Sequence, residues 1–148
     1  MDLNVLILRD PRESAKKCSL TPLRGMSGVR FVDYKQGRRI DGGGRILLHP
    51  DGEVLSAADQ SAGLLLLDCS WRRVPSLLAE VDGDPVVRRL PPLQTAYPRK
   101  SRIFEDPAQG LASIEALYAA FALLGTPHPQ LLDEYHWASE FLELNPQL

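Results

Sequence analysis

The run GLLLLD at residues 63–68 limits what this chain can fold into more than any other feature. Six residues suit a strand and fall short of a stable helix. Four leucines in succession give no alternation, so a strand made of them has no face left for water. Strands apolar on both sides belong in the interior of a parallel sheet whose two faces are covered. The segment LNVLILRDP at 3–11 has the same character: short, partly β-branched and stopped by Pro11. Parallel strands need crossover connections, so an alternating α/β unit is predicted.

Other segments extend the pattern. GVRFVDYKQG at 28–37 reads as a strand followed by a turn at Gly37, and RILLHP at 45–50 and VVRRLPPL at 86–93 as short strands. Residues 12–25 read as a loop with one helical turn. Three glycines at 42–44 predict a turn or a mobile stretch. No phosphate-binding glycine pattern surrounds them. Ser56, with Asp59 three residues on, predicts the start of a short helix, and Leu77, Leu78 and Val81 predict another over 74–85. Beyond residue 110 the period becomes helical. Leu111, Ile114, Leu117, Tyr118, Phe121 and Leu124 share one face of a helix closed by Gly125 and Pro127. Leu131, Leu132, Tyr135, Ala138, Phe141 and Leu142 predict a second helix, ended at Asn145-Pro146. The chain therefore divides into a parallel-sheet domain over 1–90 and a helical domain over 91–148.

Composition excludes several classes. Of 148 residues 44% are hydrophobic and 24% charged, which is ordinary for a globular domain with a real core. No apolar run approaches a membrane span, and the start MDLNVLILRDP lacks a basic leader, so a cytoplasmic protein is expected. Cys18 and Cys69 form no CxxC and His49, His128 and His136 have no ligand spacing, which predicts no metal site and two reduced thiols. Charge is unevenly spread. All 17 Lys and Arg fall in residues 1–102 against 12 acids, while residues 103–148 hold 7 acids and no Lys or Arg. A basic part joined to an acidic part points to an anionic partner, although a solvated surface gives the same pattern.

In open parallel sheets ligands bind beyond the carboxyl ends of the strands. Asp10 follows the first predicted strand, Asp68 ends the leucine run, and Leu93 follows VVRRLPPL. Asp68 and Trp71 lie in one turn, DCSW. A carboxylate beside an indole face suits a cation; the same pair also suits a helix N-cap next to a packed ring.

These residues carry a resemblance. LHPDGEVLSAADQ…GLLLLDCSW is similar to the shared run of the small-subunit ribosomal RNA aminocarboxypropyltransferases, a ribosome-biogenesis family. DPRESAKKCSLTPL resembles that family's opening segment, RRLPPL its R-LP-L, ASIEALYAAFALLG its S-EALAAAFYILG helix, and FLELNPQL its closing FLELN. The matches keep their order from about residue 10 to residue 148.

The resemblance implies S-adenosylmethionine as cofactor and transfer of its 3-amino-3-carboxypropyl group to a ring nitrogen of a uridine-type base. It implies a SPOUT-like fold with a deep trefoil knot, the helical domain completing the cofactor pocket. Asp68 is then the catalytic residue, as proton acceptor or as orienter of the base, and also a cofactor-binding residue. Trp71 packs against the charged part of the cofactor, Ser19 approaches it, Leu93 lines the adenine pocket, and Ser113 opens a helix whose positive end faces a carboxylate. Glu115 belongs to the same helix motif, with helix capping as its other reading. Arg72, Arg73, Arg88, Arg89, Arg99, Lys100 and Arg102 flank these turns and are candidate RNA contacts. The segment AYPRKSRIFEDPAQG departs from the family. It is closer to the DTW-domain relatives that modify transfer RNA, although their Asp-Gly-Thr-Trp signature is missing. Ribosomal RNA is therefore the first expected substrate and transfer RNA the second, with a non-catalytic RNA-binding assembly module as the alternative of a different class.

Overall fold

A computed structural model describes residues 2–14, 18–59, 61, 63–98 and 110–148. Arg99, Lys100 and Arg102 lie outside the described residues. A five-stranded sheet runs through the molecule, built from β1 (Val5–Arg9), β2 (Val29–Asp33), β4 (Arg45–Val54), β5 (Gly63–Asp68) and β7 (Val86–Arg89) in the order β2-β1-β5-β4-β7. A two-residue pairing of β3 (Ile40–Asp41) with β6 (Val81–Asp82) stands apart from it. Each of these pairings is parallel.

The leucine run takes the centre, as its two apolar faces require. Alternation along β1 and β5 sends side chains to opposite sides. Val5, Ile7, Leu64 and Leu66 enter a large core with Leu117, Phe121 and Phe141. Leu6, Leu8 and Leu65 enter a smaller one with Ile40, Leu47 and Leu77. The chain passes close at the start of β5: a Cβ on Gly63 would collide with the carbonyl oxygen of Asn4, so glycine is required there.

Helix α2 (Ser113–Leu123) covers the larger face. All six residues of its expected apolar face are buried, and Ala119 and Ala120 are buried too. It stops where the sequence predicts. Gly125 has φ +87°, its N–H bonds Ala122 O at 3.0 Å and Thr126 N–H bonds Phe121 O at 3.0 Å, which is a Schellman closure. On the other face, α1 (Val74–Leu78) is only one turn long.

Three local expectations are corrected. Ser56 and Asp59 form a single closed turn, with Ser56 N–H on Asp59 Oδ2 at 2.9 Å and Ala58 N–H on Ser56 Oγ at 3.3 Å, and no helix follows among the described residues. The helix over 74–85 ends at Leu78, because Val81 is drawn into β6 beside Ile40. The second C-terminal helix is split into a 3-10 turn at Pro129–Leu132 and α3 (Ala138–Leu144). Between them the bonds Tyr135 N–H to Leu132 O and Ala138 N–H to Tyr135 O span three residues. That tightened path lets the Tyr135 hydroxyl reach Glu115, a tertiary contact that outweighs local helical preference.

Strand β4 is longer than expected and carries a bulge. Leu48 and Glu53 both stand opposite Arg88, so residues 49–52 loop out between them. Gly52 passes so near β7 that a Cβ there would lie 2.5 Å from Val87 O.

Candidate active site

Strands β1 and β5 are in register to their ends, with Arg9 opposite Asp68. By alternation both side chains point to the α2 face. They end the rows Val5-Ile7-Arg9 and Leu64-Leu66-Asp68. The Arg9 Nε lies 3.7 Å from Asp68 Oδ2, and the same oxygen accepts the Cys18 thiol at 3.0 Å. Both contacts use one oxygen of the carboxylate. Asp68 is 8% exposed, so it is nearly enclosed but still open on one edge. It is the last residue of its strand and not a helix cap.

Sequence patterning does not single out Arg9, and it is the unexpected member of this cluster. It is 4% exposed, and its Nη2 is buried with no hydrogen-bond partner. A guanidinium offers five donors and accepts nothing, so an unpaired buried nitrogen is costly. The signal available was a charged residue at the end of an otherwise apolar strand.

Ser19 reaches the start of α2, whose first residue is Ser113. Ser19 Oγ accepts the N–H of Ile114 at 3.0 Å, a helix cap supplied from a distant loop. Glu115 supplies the second cap, accepting Ala112 N–H at 2.8 Å. Its carboxylate also takes Thr95 Oγ1 at 2.6 Å, Ala96 N–H at 2.9 Å and the Tyr135 hydroxyl at 3.0 Å. Glu115 is completely buried and fully used, so of its two readings the structure selects the capping one. Burial, together with the Glu115 charge, pushes the Tyr135 hydroxyl far above its usual range. Leu93 is buried in the same core, and the following residue is pinned by Asn145, whose Oδ1 accepts Gln94 N–H at 2.8 Å.

Trp71 opens the 3-10 turn after β5 and is 37% exposed. The β4 bulge brings His49 edge-on to it, with ring centroids 6.1 Å apart. Asp10 does not join Asp68. It is one residue past Arg9, so it points to the opposite face, where Arg73 Nε donates to its Oδ2 at 3.1 Å. That ion pair, with Arg73 over the Tyr34 ring at 5.4 Å, ties the Trp71 turn to β1. Arg88 is likewise engaged, its Nε on Asp59 Oδ1 at 3.0 Å. The Ser56 N–H and Arg88 hold the Asp59 carboxyl below its usual range. Arg72 and Arg89 are exposed.

The two cysteines are free. Burial, with Asp68 beside it, raises the Cys18 thiol to about 11, and burial with Asp10 and Asp68 raises Cys69 to about 12. Both stay protonated at neutral pH, so Cys18 is a donor to Asp68 and a poor nucleophile. Among the described residues, no group of three or more His, Cys, Asp or Glu is placed to hold a metal ion. No helix among them is long and apolar enough to cross a membrane.

A mainly parallel sheet with an acid at the end of its central strand, an indole in the turn that follows and a capped helix on one face defines a parallel α/β protein of the kind whose ligands bind beyond the strand ends. Comparison narrows the class. Residues 46–148 match the model of the family described as "Ribosome biogenesis protein, C-terminal", and the chain belongs to that family. It is 36% identical over 117 residues to the 16S rRNA aminocarboxypropyltransferase of Halobacterium salinarum, covering 77% of this chain and 66% of that protein. It is 28% identical over 144 residues to the 18S rRNA aminocarboxypropyltransferase of Saccharomyces cerevisiae, covering 90% of this chain and 42% of that protein. The solved structure of the SAM-dependent rRNA:acp-transferase Tsr3 from Vulcanisaeta distributa superposes with a TM-score of 0.76 at 30% identity, over 99% of this chain and 80% of that one. The chain thus spans about two thirds of the Halobacterium relative's length and less than half of the yeast one.

Proposed function

We propose that this chain is an S-adenosylmethionine-dependent transferase that moves a 3-amino-3-carboxypropyl group onto a ring nitrogen of a uridine-type base in ribosomal RNA. The observation that carries this is the Asp68–Trp71 turn at the end of the central strand, in a chain that shares 30% identity with the Vulcanisaeta enzyme over almost its whole length. The residues present fit the cofactor. An exposed indole suits a sulfonium, an orphaned guanidinium nitrogen suits a carboxylate, and the buried apolar groups around Leu93 and Leu111 suit an adenine.

When bound, the cofactor supplies a carbon made electrophilic by its positive sulfur. Asp68 holds the base and accepts the proton of its ring N–H at the carboxylate oxygen that Cys18 and Arg9 leave unused. Trp71 lies against the cationic part of the cofactor and fixes which carbon meets the base, since only a carbon about 3–3.5 Å from the nucleophile reacts. Ser19 and Ser113 position the cofactor's amino-acid end from the start of α2, and Leu93 lines the adenine pocket. Residues 91–148 complete that pocket as a helical domain, threaded as a SPOUT-like trefoil knot. The enclosure of Asp68 requires the target base to leave its stack. Arg72 and Arg89, with Arg99, Lys100 and Arg102, hold the RNA phosphates, while Arg73 and Arg88 are engaged by Asp10 and Asp59 and brace the same turns. The reading places the protein with pre-ribosomal RNA in the cytoplasm.

Two measurements test it together. Purified protein with carboxyl-labelled S-adenosylmethionine and small-subunit ribosomal RNA transfers label to the RNA. Asp68→Ala lowers that transfer by about 10²- to 10⁴-fold, the usual value of a positioned base, while leaving the fold intact. Undiminished transfer by Asp68→Ala removes the catalytic assignment, and label delivered only to transfer RNA replaces the substrate.

A further inference from the structure

Arg9 is not explained by the fold. A buried guanidinium with one carboxylate at 3.7 Å and an orphaned Nη2 is worse solvated than in water and incompletely paired in the protein. An apolar side chain in the β1 row, like Val5 and Ile7 before it, would fill the position without that penalty. What the position offers is a planar cationic fork at the end of the strand beside Asp68, on the face that carries Cys18, Ser19 and the start of α2.

We propose that Arg9 binds the carboxylate of the cofactor's amino-acid arm. The inference rests on the S-adenosylmethionine reading above and assigns that arm a specific anchor. Three arguments select this partner. The free nitrogen is a donor only, so it needs an acceptor, and a full negative charge matches a guanidinium better than a neutral carbonyl does. At 4% exposure the residue lies too deep to serve an RNA phosphate on the surface. Its neighbour in the register is Asp68, the group assigned to the reacting base, so an anion held at Arg9 keeps the arm next to that base. Nη2 is buried in this structure, so a carboxylate bound there turns an unsatisfied donor into a charge-assisted hydrogen bond.

The anchor also separates substrate from product. Transfer breaks the bond between sulfur and the arm, with the electron pair staying on sulfur, and makes a bond from the arm to the base nitrogen. The proton of that nitrogen goes to Asp68. The carboxylate departs with the RNA, and the neutral thioether left behind, 5′-methylthioadenosine, has nothing to offer Arg9.

Calorimetric titration of the whole protein tests this. Arg9→Gln is expected to weaken S-adenosylmethionine and S-adenosylhomocysteine by about 10- to 100-fold, the range of a hydrogen bond to a charged group. Its affinity for 5′-methylthioadenosine, which lacks the arm, stays within about twofold of the unmodified protein. Equal loss for all three ligands assigns Arg9 a purely structural role and overturns the proposal; so does undiminished binding of S-adenosylmethionine. If Arg9→Gln fails to fold, the unmodified protein decides: decarboxylated S-adenosylmethionine binds about 10- to 100-fold more weakly than the intact cofactor, and equal affinities overturn the anchor. A protein that binds none of these ligands removes the cofactor reading itself, a result distinct from failure of the anchor alone.

Discussion

Single residues in this protein are heavily shared between folding and site geometry. Glu115 joins four donors from three parts of the chain: Ala112, Thr95 with Ala96, and Tyr135. Glu115→Ala leaves these half-buried donors without their acceptor, so a loss of stability of about 2 to 3 kcal/mol is expected in chemical denaturation. Glu115→Gln keeps the shape but turns an acceptor into a donor, and it is expected to cost less than Ala. The thiols set a pH limit. Cys18 and Cys69 are raised from 9.0 to about 11 and about 12, so the folded state keeps protons that the unfolded chain releases. Their contribution is complete below pH 9 and is lost as pH rises through 11 and 12. Cys69→Ala is therefore expected to show a shallower alkaline fall in stability than the unmodified protein, measured by denaturant titration from about pH 8 to about pH 11.

Elements show where local pattern is enough and where it is not. Helix α2 is legible because its apolar positions, its Gly125 stop and its position in the core all agree. Its opening at Ser113 agrees as well, but its side-chain cap is not legible, because that comes from Ser19, 95 positions away from Ile114. Ser19→Ala is expected to cost about 1 kcal/mol, the usual value of a side-chain cap, measured by thermal unfolding. The β4 bulge is equally hidden, since RILLHP reads only as a short strand and the looping out of residues 49–52 is defined by β7 beside it. Gly52→Ala is expected to distort the bulge, because its Cβ would meet Val87 O and Arg88 N at 2.5 and 2.6 Å. The Trp71 fluorescence reports this through His49, which the bulge carries against the indole. The spacing over residues 131–142 predicts one helix, and the Glu115–Tyr135 hydrogen bond breaks it.

For the whole molecule, the charge asymmetry becomes a question of which arginines are available. Arg73 and Arg88 are tied to Asp10 and Asp59, whereas Arg72 and Arg89 are exposed. The double variant Arg72→Ala/Arg89→Ala is expected to weaken RNA binding. Its salt dependence flattens by about 0.7 for each phosphate that the arginines no longer neutralise on a single strand, read from affinity against salt concentration. Binding of S-adenosylmethionine stays unchanged, which separates the proposed RNA surface from the proposed cofactor pocket.

By itself the sequence determined the parallel α/β sheet, the central place of residues 63–68, helix α2 and the turn bearing Asp68 and Trp71. Those follow from short-range hydrophobic period and from a run of residues read in one line. Only the tertiary structure decided that Arg9 rather than Asp10 stands beside Asp68, that Ser19 caps a helix, and that Glu115 is committed to the fold. The reason is that strand register and side-chain parity settle which neighbours share a face, and register exists only once two distant segments have paired.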